Sequence, residues 1–246
     1  MAVSSAPSSP IGLSFSTTRD ERVVISIDVL GRRVQTTIET MISILSAAEP
    51  PKHSYRVSIE PNNHQAIVLL PDLFKAIHSN MWLQTVTITI RAGNVDSVLL
   101  LRSLEGKTNI SQLSLAIQNE QDYYGTFLDV LGTLNLTSIS MTSSRSYEGL
   151  VDILATHSNL KIIKLGPNRI ENAERVAFLD AVMKFIPIIQ LTHVVRNEER
   201  DVIAERLSSD SAVEMLTLWL RPDADLTSIG HALKTNTTLK SLNIIM

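Results

Sequence analysis

LKIIKLGPNRI, Leu160 to Ile170, is the stretch on which the reading of this chain turns. Apolar residues stand at Leu160, Ile163 and Leu165, a spacing of three and then two, and Gly166-Pro167 ends the run. Working outward, the same spacing recurs at Leu83/Val86/Ile88, Ile110/Leu113/Leu115, Leu136/Ile139/Met141, Val213/Leu216/Leu218 and Leu239/Leu242/Ile244. A looser copy falls at Ile188/Leu191/His193. Successive first positions are 27, 26, 24, 28, 25 and 26 residues apart, the signature of a tandem array. Two degenerate units are expected ahead of it, with strands around Val23–Leu30 and Arg56–Glu60.

Between the strand patterns the apolar residues take helical spacing, as at Val34, Ile38, Met41, Ile42 and Leu45, and at Val176, Leu179, Val182, Met183 and Ile186. Each unit therefore reads as one strand and one helix. Ser146, Asn172 and Asp225 precede apolar-periodic runs and are expected to cap helix starts, their side chains accepting from free backbone N–H groups. Asn80, Asn109, Asn135, Asn159 and Asn236 lie one to three residues before a strand pattern. Asparagine tolerates the left-handed conformation that ends a helix, and that conformation is expected there. Three of them open glycosylation sequons, at Asn109, Asn135 and Asn236, but no secretory signal accompanies them and no glycan is assigned.

A period near 26 with LxxLxL strands and a helix per unit resembles the ribonuclease-inhibitor-like class of leucine-rich repeats. LKIIKLGPNRI matches the family pattern LxxLxLxxNxL, with Asn168 at the position of the asparagine that bonds neighbouring turns. ALKTNTTLKSLNI, Ala232 to Ile244, resembles the helix-to-strand half of such a repeat. The resemblance covers residues 80 to 246 well and 22 to 80 poorly. In the other units Arg91, Gln118, Ser144, Arg196 and Arg221 replace the ladder asparagine, so irregular convex turns are expected. The resemblance implies an α/β fold: a right-handed leucine-rich-repeat solenoid with parallel strands on its concave face. Such units become stable by stacking on copies. The expected division is a disordered Ser/Pro-rich tail at 1–18, divergent capping repeats at 19–80, and regular repeats at 81–246. The helix from Val34 to Leu45 is expected to cover the first regular repeat. No helix follows the last strand pattern, so a second chain, a homodimer mate or another partner, or else a missing segment is expected to cover that apolar end.

Composition narrows the function. The 246 residues are 44% apolar, 19% charged and 4% aromatic, enough for a sizeable core. A formal charge of −3 with dispersed Lys and Arg speaks against nucleic acid and anionic membrane surfaces. No apolar run approaches the ~20 residues of a membrane helix. A cytoplasmic location is expected. The absence of cysteine removes disulfides, thiolate metal sites and Cys nucleophiles. MAVSSAPSSPIGLSFSTT, residues 1 to 18, holds six serines and no charged side chain, a composition that does not fold alone. It resembles the export signals of bacterial type III secreted effectors, and the implied alternative is an effector acting inside a host cell through its repeats.

The inventory offers catalysis little. None of the six histidines has metal-site spacing; His78, His157 and His231 fall near helix ends, where an imidazole complements the dipole. His193 occupies a strand position that is normally apolar, which reads either as a satisfied core histidine or as a repeat shifted by one residue. In NEERDVIAERL, Asn197 to Leu207, the carboxylates Glu198, Glu199 and Asp201 read as a solvated first helical turn. Asp223-Ala-Asp225 resembles the DxD of metal-dependent glycosyltransferases but reads better as a turn into an N-cap. P-loop, GxGxxG, GxSxG and HExxH patterns are absent from the sequence. No catalytic residue, metal ligand or cofactor is assigned, and the chain is not expected to be an enzyme. Leu70-Pro71-Asp72-Leu73-Phe74, with Ile77, resembles the start of an F-box, which would make the chain an adaptor; the segment reads better as a repeat helix with Pro71 in its first turn.

Strand alternation points the variable positions of LxxLxL into the concavity. A middle row of Thr87, Ser114, Ser140, Lys164, Thr192, Thr217 and Asn243 results, beside Thr85, Gln112, Ser138, Ile162, Gln190, Met215 and Ser241, with Thr89, Thr142 and Trp219 beyond. This face is hydroxyl-rich and free of carboxylates, with a positive spot at Lys161 and Lys164. Threonine is also simply a good strand former. A tryptophan among small polar groups is the composition of a binding hot spot. The expected function is a non-catalytic protein–protein interaction scaffold, with Thr87, Ser114, Ser140, Lys164, Thr192, Met215, Thr217 and Trp219 as the partner-binding residues.

Overall fold

The computed structural model describes residues 23–27, 33–49, 54–59, 68–90, 97–117, 123–142, 146–167, 170–209 and 211–246. The tail at 1–18 and the turn residues Arg91, Gln118, Ser144 and Asn168 lie outside them. Ten strands and eight helices are present among the described residues, all strands in one sheet. In chain order they are β1 Val23–Ile27, β2 Arg33–Thr36, α1 Ile38–Leu45, β3 Ser54–Ile59, α2 Leu70–Ser79, β4 Thr85–Ile90, α3 Ser97–Arg102, β5 Gln112–Ile117 and α4 Tyr124–Leu131. There follow β6 Ser138–Thr142, α5 Leu150–Thr156, β7 Ile162–Leu165, α6 Asn172–Val182, β8 Ile188–Val194, α7 Asn197–Ser208, β9 Met215–Trp219, α8 Thr227–Thr235 and β10 Ser241–Ile245. The sheet order is β10-β9-β8-β7-β6-β5-β4-β1-β3-β2. From β4 to β10 the seven strands are parallel, adjacent in sequence order, and each is joined to the next through a helix.

The apolar spacing explains this arrangement. Val86 and Ile88, Leu113 and Leu115, Ile139 and Met141, Ile163 and Leu165, and Leu216 and Leu218 are buried in one continuous core. The helices close that core with residues such as Leu100, Phe127, Leu154, Phe178 and Ile203. Tyr147 stacks on Phe178 with ring centroids 4.0 Å apart. The first residue of each pattern turns the chain from helix to strand. There, backbone amides reach the carbonyl of the preceding unit, from Ser111 to Gln84, Thr137 to Ser111, Lys161 to Thr137, Ile188 to Lys161, Met215 to Pro187 and Ser241 to Glu214. Helices of 6 to 12 residues are marginal alone, so stacking supplies most of their stability.

The loose copy is corrected by this ladder. Ile189 and Leu191 pair with Ile163 and Leu165, and Ile186 is buried where Leu160 stands one unit earlier. The repeat is Ile186/Ile189/Leu191, two residues before the position read from sequence, with steps of 26 and 27 around it. Pro187-Ile188-Ile189 disguised the register, because either isoleucine satisfies an apolar position.

Two of the asparagines work differently from the expectation. Asn80 and Asn236 end their helices with φ of −71° and −70°, extended rather than left-handed. Each instead uses its side chain. Asn80 Oδ1 accepts from the amides of Trp82 and Leu83, and its Nδ2 donates to the Leu45 carbonyl at 2.7 Å. Asn236 repeats this with Thr238, Leu239 and the Leu207 carbonyl. Ser211 takes the same place before β9, accepting from Val213 N–H. Asn109 donates to the Leu83 carbonyl, and Asn159 to Asn135 Oδ1. None of the three expected caps is the N-cap residue, which is Gly149 for α5, Glu171 for α6 and Leu226 for α8; Ser146 accepts from Glu148 N–H and Asp225 from Thr227 N–H in the turns ahead of α5 and α8. Asn172 is the first helical residue of α6, and its Oδ1 is buried without a hydrogen-bond partner among the described residues.

At the β4 side, β1 runs antiparallel to both β4 and β3, and β2 is parallel to β3. Helix α1 begins at Ile38, capped by Thr37, with Val34 in β2. It packs on α2 and β3, and its Leu45 carbonyl accepts from Asn80 just ahead of the first regular repeat. Leu70, Leu73, Phe74 and Ile77 of the F-box-like stretch are buried in α2. At the other edge, Leu242 and Ile244 of β10 are only partly buried, whereas their counterparts Leu216 and Leu218 are fully enclosed. Among the described residues no helix is long and apolar enough to cross a membrane.

Candidate functional site

The helices lie on one face of the parallel strands and leave the other open. Strand pairing arranges the open-face side chains in rows that cross the sheet. The middle row runs Thr87, Ser114, Ser140, Lys164, Gln190, Thr217, Asn243. Below it runs Thr85, Gln112, Ser138, Ile162, Ile188, Met215, Ser241. Above it are Ala116, Thr142, Thr192, Trp219 and Ile245. The structure therefore brings Thr87, Ser114, Ser140, Lys164 and Thr217 into one line, and places Met215 below it and Thr192 and Trp219 above. Thr192 is not in the middle row: the two-residue register correction moves it up, and Gln190 and Ile188, absent from the sequence-read site, take the vacated places.

The corrected register gives the face an apolar region. Ile162, Ile188 and Met215 are successive neighbours across β7, β8 and β9, and Met215 is 45% exposed. Trp219, 38% exposed, pairs with Val194, 48% exposed. Lys164 is the one charged side chain in these rows among the described residues, and it forms no ion pair there. The Lys240–Glu214 pair, 2.9 Å, and the exposed Lys161 stand at the lower rim. Two residues above Lys164, Gly166 packs against β6: a Cβ there would lie 2.4 Å from Thr142 Oγ1, and the Gly166 amide donates to the Met141 carbonyl.

Trp219 and Val194 meet because β8 bulges. Gln190 pairs with Thr217 and Val194 with Trp219, so three residues of β8 stand opposite Leu218 alone. His193 follows Ile189 and Leu191 to the helix side by strand alternation, and its Nε2 lies 3.0 Å from Glu199 Oε1. Arg175 Nη2 lies 2.6 Å from the same oxygen, and Glu199 Oε2 accepts from the Arg196 amide at 2.9 Å. Glu199 is 2% exposed and Arg175 6%. Burial pushes the Glu199 carboxyl up, but the hydrogen bonds from His193 and the Arg196 amide and the close Arg175 guanidinium outweigh it and hold the group at about 2. The solvated-turn reading of Glu199 is thus corrected, and His193 is a satisfied interior histidine beyond the true repeat position. Glu198 and Asp201 are exposed. His157 sets its ring nitrogens against the Ile153 and Leu131 carbonyls, joining two units, while His78 and His231 are exposed.

Arg175 was missed because α6 places it among exposed polar residues, where it reads as a surface cation. The signal that could have found the cluster is the Ile-Ile doublet: moving the register two residues leaves His193 past the strand pattern, needing a polar partner. No protein-family model, no curated protein and no solved structure matches the chain.

Proposed function

We propose that the chain is a right-handed leucine-rich-repeat solenoid of the ribonuclease-inhibitor-like class that binds a protein partner on its concave strand face and carries out no catalysis. The observation that carries the reading is the open face itself. Seven parallel strands present hydroxyl and amide side chains beside two apolar pairs, Ile188–Met215 at the lower level and the exposed Val194–Trp219 above, with Gln190 and Thr217 between them; apolar side chains interleaved with hydrogen-bonding groups are the composition of a protein interface centre. Lys164 is the one charged side chain in the rows of these seven strands among the described residues, and the polar cluster that could do acid–base work is sealed behind the sheet around the 2% exposed Glu199. The test is a photo-crosslinking amino acid at Thr217 on the open face or at Asp152 on α5, introduced into the full chain in the cells that express it. Discrete adducts from Thr217, lost when Thr192→Arg/Trp219→Glu is added and absent from Asp152, are expected. Equal adducts from both positions would refute the face.

A further inference from the structure

Resting on that reading, we infer that the partner presents an extended segment in which an acidic side chain lies about three residues from an apolar one. Across the seven parallel strands, Lys164 is the one charged side chain of the open-face rows among the described residues, half-buried between Ser140 and Gln190 in the middle row. An ammonium in such surroundings, with no carboxylate paired to it among the described residues, is matched by a negative charge that arrives with the ligand. Its own strand supplies only Ile162 below and the bare Gly166 above, so nothing on β7 competes for the site. The apolar anchor begins at Ile162 and continues through Ile188 to Met215 at the level below, with Trp219 at the level above. From the β7 column to the β9 column is two strand spacings, about 10 Å, which an extended chain at about 3.4 Å per residue covers in three residues. Between the two, Gln190 offers both a donor and an acceptor to the backbone of a segment crossing the strands. A polypeptide is favoured over a lipid or a polyanion because one cation stands within a row of neutral hydrogen-bonding groups, rather than a cluster of cations.

The test is selection from a random twelve-residue peptide display library on the full chain, with the Thr192→Arg/Trp219→Glu variant as the counter-target. Peptides specific to the wild-type face are expected to carry Asp or Glu two to four residues from Leu, Ile, Phe or Trp. A synthetic member should bind about tenfold or more weakly to Lys164→Gln and unchanged to Lys161→Gln. Changing its acid to lysine should restore binding to Lys164→Glu. Far-UV circular dichroism of each variant separates loss of binding from loss of fold. Face-specific peptides without an acidic preference, or with affinity indifferent to Lys164, would overturn this inference and leave the binding face standing. Selection of no face-specific peptide would count against both.

Discussion

Replacing Glu199 by glutamine should cost the protein about 3 to 5 kcal/mol at pH 7, the cost of removing one partner of a buried ion pair. Two features of the structure set the size. Glu199 is 2% exposed and receives Arg175, His193 and the Arg196 amide, so glutamine keeps the shape while leaving a 6% exposed guanidinium without its counter-charge. Independently, the carboxyl sits at about 2 against an ordinary 4.5, and at about 1.4 kcal/mol per pH unit the ionised form adds about 3 kcal/mol to stability. Because the folded-state value lies below the unfolded one, this contribution is complete above pH 4.5. It drains as pH falls through 2. Urea unfolding of wild type and Glu199→Gln between pH 2 and 7 measures both quantities: the gap should be full at neutral pH and close progressively below pH 4.5. Replacing both charges, Arg175→Met with Glu199→Leu, should cost far less than the single change, since no charge is left stranded. A loss below about 1 kcal/mol at pH 7, or a gap that does not narrow in acid, would refute the assignment of Glu199 as a buried, paired anion.

Other expectations follow from single contacts. Asn80→Ala leaves the Trp82 and Leu83 amides and the Leu45 carbonyl without their side-chain partner and should cost about 2 to 3 kcal/mol by chemical denaturation; an effect under 0.5 kcal/mol would mean water replaces it freely. Gly166→Ala drives a Cβ against Thr142 and should cost about 1 to 3 kcal/mol, partly recovered by Thr142→Ala. Asp180→Asn weakens the fork from Arg206, which is the main reason the Asp180 carboxyl is held below its usual range; with both groups partly exposed, the loss should be about 1 kcal/mol and should shrink with salt. Thr192→Arg/Trp219→Glu alters open-face side chains and removes the Thr192 hydroxyl's bond to the Leu165 carbonyl, so the melting temperature should fall by a few degrees with the fold kept while binding is lost.

The periodic apolar residues carried the parallel strands and their helices from the sequence alone, because each LxxLxL unit must turn the same side chains to the core whatever its neighbours do. What the sequence concealed lies where a side chain answers to another unit. Arg175 and Glu199 each fit an exposed helical surface, and only the packing of α7 on α6 makes them a buried pair. Ile188 and Ile189 fit either register locally, and the choice is made by β7, which sets Ile189 on Ile163. The asparagines were recognised as end markers, yet their partners are carbonyls of the preceding unit, a link no single repeat can reveal. The direction of β1 is concealed for the same reason: alternation is identical in parallel and antiparallel strands, and only the neighbours decide. The register and the buried pair meet at one place. The two-residue correction at β8 at once creates the bulge, buries His193 against Glu199, and sets Ile188 and Val194 beside Met215 and Trp219. The least regular repeat is therefore also the one that shapes the apolar part of the open face. Restoring regularity there, by deleting Thr192 and His193, should keep Val194 opposite Trp219, two residues past the Gln190–Thr217 pair, but strip Glu199 of its histidine partner and lower stability, which urea unfolding would measure.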